Sequence, residues 1–90
     1  MQVHGIIHHI GGVQQPTDNF SKREFILQTE ATTQWSQFIR MECQNKKIEL
    51  LDKVKEGDNV SVDFNLQGRL DRNKENVAYN TLSAWKIEKV

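Results

Sequence analysis

The ninety-residue sequence has little of what small proteins use to specialise. Its single cysteine, Cys43, rules out an intramolecular disulfide framework, and a lone thiol fits a reducing compartment. No apolar run approaches the ~20 residues that a bilayer span requires. The amino-terminal stretch MQVHGIIHH lacks the basic segment and long apolar segment of a secretory signal. An excess of charge of either sign is also missing, because 12 Lys and Arg balance 12 Asp and Glu. That balance removes a global positive field as a reason to bind nucleic acid, so any such binding must come from a local basic face. There is no glycine-rich phosphate loop, no HExxH and no GxSxG. Cys43 has no CxxC partner. His4 and His8 share a strand face but lie about 13 Å apart at strand rise, too far to chelate one ion. The expectation is a non-catalytic cytoplasmic protein with no metal or other cofactor, no small-molecule substrate and no membrane partner.

What is present is folded-protein composition, 37% hydrophobic and 27% charged. Ninety residues suffice for one domain, residues 1–90, with little stability to spare, which makes self-association a natural expectation. Gln2 to Ile10 reads as a strand, followed by a bend or bulge at Gly11-Gly12 and a loop from Gln14 to Asn19. Phe20 to Glu30 is a second strand, with Phe25, Leu27 and Thr29 on one face and Lys22, Glu24, Ile26 and Gln28 on the other. A polar turn, Ala31 to Gln34, leads to a third strand, Trp35 to Gln44. Its core face carries Trp35, Ile39, Met41 and Cys43, with Gln37, while Phe38 and Arg40 point outward. Asn45 to Val54 reads as a short helix capped by Asn45 and stopped at Gly57. The clearest alternation follows, with Val60, Val62, Phe64 and Leu66 inward. The charged loop LDRNKEN, Leu70 to Asn76, connects to a last strand, Val77 to Val90, whose apolar residues change parity between Tyr79 and Leu82 as a bulge would make them. Three strands, a helix and two strands is the element order of the OB-fold, a five-stranded Greek-key β-barrel with one helix between strands three and four. Closure removes the exposed edges that five short strands would otherwise present.

Three segments carry a resemblance: Phe20 to Glu30 (FSKREFILQTE), Gly57 to Phe64 (GDNVSVDF) and Leu82 to Glu88 (LSAWKIE). They resemble a family of short OB-like proteins of Bacteroidetes and their phages that is catalogued as a domain of unknown function. The layout is also similar to bacterial single-stranded DNA-binding proteins and the primosomal OB protein. The resemblance implies single-stranded nucleic-acid binding by analogy; fold alone does not carry function.

OB barrels bind strands across their second and third strands and the loops joining strands one to two and four to five. Single-strand binding needs cations for phosphates and planar groups for bases. The second strand supplies Phe20, Lys22 and Arg23. The third supplies Trp35, Phe38 and Arg40, and the loop between the fourth and fifth supplies Arg69, Arg72 and Lys74, with Tyr79 just beyond. All four arginines lie in these places. The expected partner is single-stranded DNA, or RNA, in replication, recombination or repair, with the protein acting as a homo-oligomer. Interleaved acids (Asp18, Glu24, Glu42, Asp71, Glu75) dilute the patch. They keep open an alternative of another class, a protein-interaction or oligomerisation module in which Phe38 forms an apolar contact.

Overall fold

The computed structural model describes residues 1–30 and 34–90. Five strands, β1 (Gln2–Thr17), β2 (Phe20–Thr29), β3 (Gln37–Gln44), β4 (Asn59–Leu70) and β5 (Ala78–Lys89), close into a barrel in the order β1-β2-β3-β5-β4. A 3-10 helix, Asn45–Lys53, joins β3 to β4. This is the OB-fold barrel that the element order implies. The expected turn over Ala31–Gln34 falls largely outside the described residues.

Alternation sets the core. Phe25 and Leu27 on β2, Met41 and Cys43 on β3, and Val60 and Val62 on β4 are buried, joined by Ile7, Leu51 and Ala84. Each fully buried large side chain contributes about 1.5–3 kcal/mol. The helix adds Ile48 and Leu51 to this core, and Val54, the extended residue just after it, packs beside them. Ile48 and Leu51 are three apart, and a 3-10 helix eclipses side chains at that spacing, so both meet the barrel. The expected Asn45 cap is not made. Asn45 itself adopts φ 50°, which asparagine tolerates better than most residues. Its Oδ1 instead accepts the Ser21 N–H at 3.0 Å, tying the start of β2 to the end of β3. Gly57, at φ 96°, sits in the turn before β4 and not at the helix end.

Two strands differ from the sequence expectation. β1 continues through the polar stretch to Thr17 as one arm of a hairpin with β2, and only Asp18-Asn19 turn. The loop-like composition of QQPTDN is overridden by pairing. Gly11-Gly12 lie in one register irregularity and Pro16 in another, where a missing N–H breaks no ladder bond. On β5 the pairing is continuous from Ala78 to Ala84, and the irregularity falls at Trp85: Ala84 faces Phe64 while Lys86 faces Asp63. Tyr79 and Leu82 therefore occupy opposite faces with no bulge between them.

β1 passes from β4, which it pairs over Gln2–Ile6, to β2, which it pairs from Ile6 onward. Gly5 occupies this crossing, where a Cβ would stand 2.6 Å from the Gln28 carbonyl oxygen and 2.9 Å from Leu27 Cγ. Gly12 has open space. Gly5→Ala should lose about 1–3 kcal/mol in urea denaturation, an overpacking cost, while Gly12→Ala stays within about 0.5 kcal/mol of the parent. Burial, reinforced by the Glu42 carboxyl and opposed by Arg23, pushes the Cys43 thiol up to about 12. The folded protein should therefore resist iodoacetamide at neutral pH and react only when unfolded.

Candidate nucleic-acid interface

β3 and β5 run parallel but meet at one residue pair, Glu42 opposite Ser83. The far edge of β3 is occupied by β2 and that of β5 by β4. On the amino-terminal side of this pair the two strands part, leaving an open groove of about 820 Å³. Counting back along the parallel register puts Phe38 level with Tyr79 and Arg40 level with Thr81. All four line the groove, and Lys22, Glu24 and Glu42 complete its charged floor. The other bank is the β4–β5 arm. Its inward parity runs past the barrel, so Leu66 and Leu70, paired with Leu82 and Ala78, continue a core face that stays largely exposed among the described residues. Leu66 is 57% and Leu70 65% exposed.

Of the residues expected at a binding site, Lys22, Phe38, Arg40 and Tyr79 converge here. Phe38 is 57% and Tyr79 46% exposed. His8, displaced outward at a β1 irregularity, meets the Phe38 ring edge-on with centroids 4.9 Å apart. Arg69 pairs with Tyr79 across the arm and holds its guanidinium 5.0 Å from the ring centroid, a cation–π contact.

The four arginines do not share one face. Arg23 has the parity of Phe25 and Leu27, so it points to the core side. There its Nε donates to the Gly11 carbonyl at 2.7 Å and its guanidinium stands 3.5 Å from Asp52. Phe20 is half-buried opposite Thr17 at the β1–β2 turn. Trp35, expected on the core face of the third strand, is instead 68% exposed because β3 begins only at Gln37, and it is not among the groove residues. Arg72 and Lys74 stand exposed in the loop at the tip of the arm.

The acids are more central than their sequence positions suggest. Glu24 lies directly across from Glu42 in the β2–β3 register, a repulsive placement. Arg40 Nε offsets it from 3.5 Å to Glu24, and the Gln44 amide donates to Glu42 Oε2 at 3.0 Å. Lys22 and Arg40 thus face two carboxyl groups, and the floor has no net charge. At the arm tip Asp71 organises the loop. Its Oδ2 accepts the Tyr79 hydroxyl at 2.7 Å, and its Oδ1 accepts the Asn73 and Lys74 amides at 2.8 and 3.1 Å. These donors, the Tyr79 hydroxyl foremost, hold the Asp71 carboxyl below its usual range, and the same bond raises the Tyr79 phenol. The histidines diverge: His4 approaches Gln2, His8 meets Phe38 and His9 meets Glu56 at 3.1 Å. Among the described residues no group of three His, Cys, Asp or Glu is placed to hold a metal ion. No helix among them is long and apolar enough to cross a membrane.

A family model for a domain of unknown function, DUF3127, matches residues 2–88. No curated protein matches the chain in sequence. Among solved structures, the mitochondrial single-stranded DNA-binding protein Rim1 of S. cerevisiae superposes with a TM-score of 0.78 at 15% identity, covering 100% of this chain and 91% of that one. The N-terminal domain of PriB from Thermoanaerobacter tencongensis, described as dimeric, gives 0.69 at 15% identity and covers 100% and 93%. The second single-stranded DNA-binding protein of Mycobacterium smegmatis gives 0.69 at 13% identity and covers 99% and 85%. These are likenesses of fold.

Because the fold lowers the Asp71 pKa, its contribution is complete above the unfolded value near pH 3.9 and is lost as pH falls through the lower folded value. The Asn73 and Lys74 amide resonances should titrate together below the ordinary carboxylate range, and Asp71→Asn should abolish that titration. Titration at the ordinary value would mean that the turn is not held this way.

Proposed function

The chain belongs to the DUF3127 family, and we propose that it binds single-stranded nucleic acid, most simply DNA, without catalysing a reaction on it. The observation that carries this reading is the pairing of Phe38 and Tyr79, two exposed rings at one level on opposite banks of a groove whose floor offers Lys22 and Arg40. Unpaired bases stack on such rings, and the cations meet the backbone. Arg69, already over Tyr79, extends the cationic path toward Arg72 and Lys74 on the arm. Phe20, Arg23 and Trp35 stand away from this path and take secondary roles at most. The OB-fold likeness to proteins described as single-stranded DNA-binding supports the reading as analogy. A role in replication, recombination or repair within the cytoplasm follows if the ligand is DNA.

Few phosphates can be neutralised by so balanced a surface. With about three contacts, the logarithm of affinity should fall against the logarithm of salt with a slope of only about −2.

A second reading rests on a separate observation: Leu66, Leu70 and Val77 leave apolar surface exposed on the arm. Self-association through this surface would cover it. It would also offset the low affinity expected of a single groove by joining several.

Fluorescence anisotropy with labelled oligo(dT) and mixed-sequence strands, over a salt series, tests the first reading. Phe38→Ala and Tyr79→Ala should each weaken binding by roughly 5- to 150-fold, the equivalent of about 1–3 kcal/mol per stacked base. A flat trace with every strand at low salt removes it. Sedimentation of Leu70→Asp beside the parent tests the second: a fall to monomer supports the arm interface, and an unchanged mass rejects it.

A further inference from the structure

We propose that Glu42 is a base-reading acceptor and that the groove therefore prefers bases carrying exocyclic amines, guanine foremost, over thymine. The inference rests on the nucleic-acid reading above and deepens it.

Glu42 is out of place on the floor of a groove for a polyanion. It lines the groove yet is only 9% exposed, the one buried charged residue among those described. Its Oε2 accepts the Gln44 amide. Among the described residues its Oε1 accepts no hydrogen bond, and no Lys or Arg reaches the carboxylate within ion-pair distance. Arg40, the nearest candidate by position, is engaged with Glu24. No buried side-chain oxygen among the described residues lacks a partner, so this free Oε1 is reached from the groove, and an N–H arriving there finds an open, charged acceptor. Glu24 stands directly across, so the end of the groove near Glu42 presents two carboxyl groups.

That arrangement orients a strand. Phosphates are repelled by Glu24 and Glu42 and stay at the cations of floor and arm, Lys22, Arg40 and Arg69. Bases stack at Phe38 and Tyr79 near the open end, and those farther in, toward the closed end about 13 Å along β3, turn their edges to Glu42. Guanine presents N1–H and the N2 amine side by side, the best match to a carboxylate. Cytosine and adenine present one amine each. Thymine presents one N–H flanked by two carbonyl oxygens, which a carboxylate repels. Glu42 is an acceptor within the binding site and takes part in no reaction.

The experiment compares three labelled strands of about twelve nucleotides, a length within the usual OB site size, by anisotropy. They are all-thymine, thymine alternating with guanine, and thymine alternating with inosine, which lacks only the N2 amine of guanine. The guanine strand should bind roughly tenfold more tightly than the thymine strand, as one charge-assisted hydrogen bond allows. The inosine strand should fall between them. Glu42→Gln should bring the three to within about twofold of one another. Glu88→Gln, at an exposed acid outside the groove paired with Lys86, should keep the ranking, and an unchanged thermal unfolding curve for Glu42→Gln shows that the first variant folds. Equal affinities for the three strands in the parent protein overturn the inference and leave the nucleic-acid reading standing. So does a uniform strengthening of all three in Glu42→Gln, because Glu42 then acts only by repulsion. Failure of every strand to bind the parent removes both.

Discussion

Closure of the barrel depends on a parallel contact between β3 and β5 that is made at one residue pair. Each strand is paired along its other edge, β3 with β2 and β5 with β4, and the twist of those two antiparallel pairings carries the near edges apart. Parallel pairing is slightly weaker per residue, and here it concedes. The groove is what remains between two strands held apart by stronger commitments. Its residues follow from pleat and register: Phe38, Arg40 and Glu42 share the outer face of β3, and Tyr79 and Thr81 share that of β5. The closing pair also explains the burial of Glu42, which lies where the two strands are drawn together while its neighbour Arg40 stays open to water.

Charge balance then decides what kind of ligand the groove can take. The chain carries as many acids as bases, and the floor repeats that balance on a smaller scale with Lys22 and Arg40 against Glu24 and Glu42. A surface of this kind gives no long-range pull on a polyanion. Recognition has to come from contact, from ring faces and hydrogen-bonding edges, and it will be short-ranged and weakly dependent on salt. The β4–β5 arm serves the same end by bringing Tyr79 and Arg69 out beyond the barrel, and Asp71 fixes the loop that joins their strands.

Much of the fold was legible because alternation is strict where one face is buried. Val60, Val62 and Phe64 on β4 and Phe25 and Leu27 on β2 could be assigned by parity alone. The same rule would have moved Arg23 to the core side, since it shares the parity of Phe25; its charge suggested a surface role, and the Gly11 carbonyl and Asp52 supply the partners that let it sit there. The polar tail of β1 was illegible because composition describes a loop while pairing with β2 makes a strand. Asn45 offered a standard capping signal, but its side chain is used by Ser21, a contact separated by 24 residues that no local pattern encodes. Glu42 reads in sequence as one more outward acid. Its burial comes from β5, and nothing near it in the chain announces that neighbour.

The apolar parity of the arm has a consequence for how such a protein can vary. Two strands paired in register keep Leu66 and Leu70 on the core-side face, and Tyr79 on the other, only while the pleat is preserved. The hairpin can therefore grow or shrink by two residues per strand at a time without turning itself inside out. A single added residue on each strand would send Tyr79 to the opposite surface and put leucine in its place. Groove depth is in this sense quantised, with steps of about 7 Å, twice the rise of one strand residue.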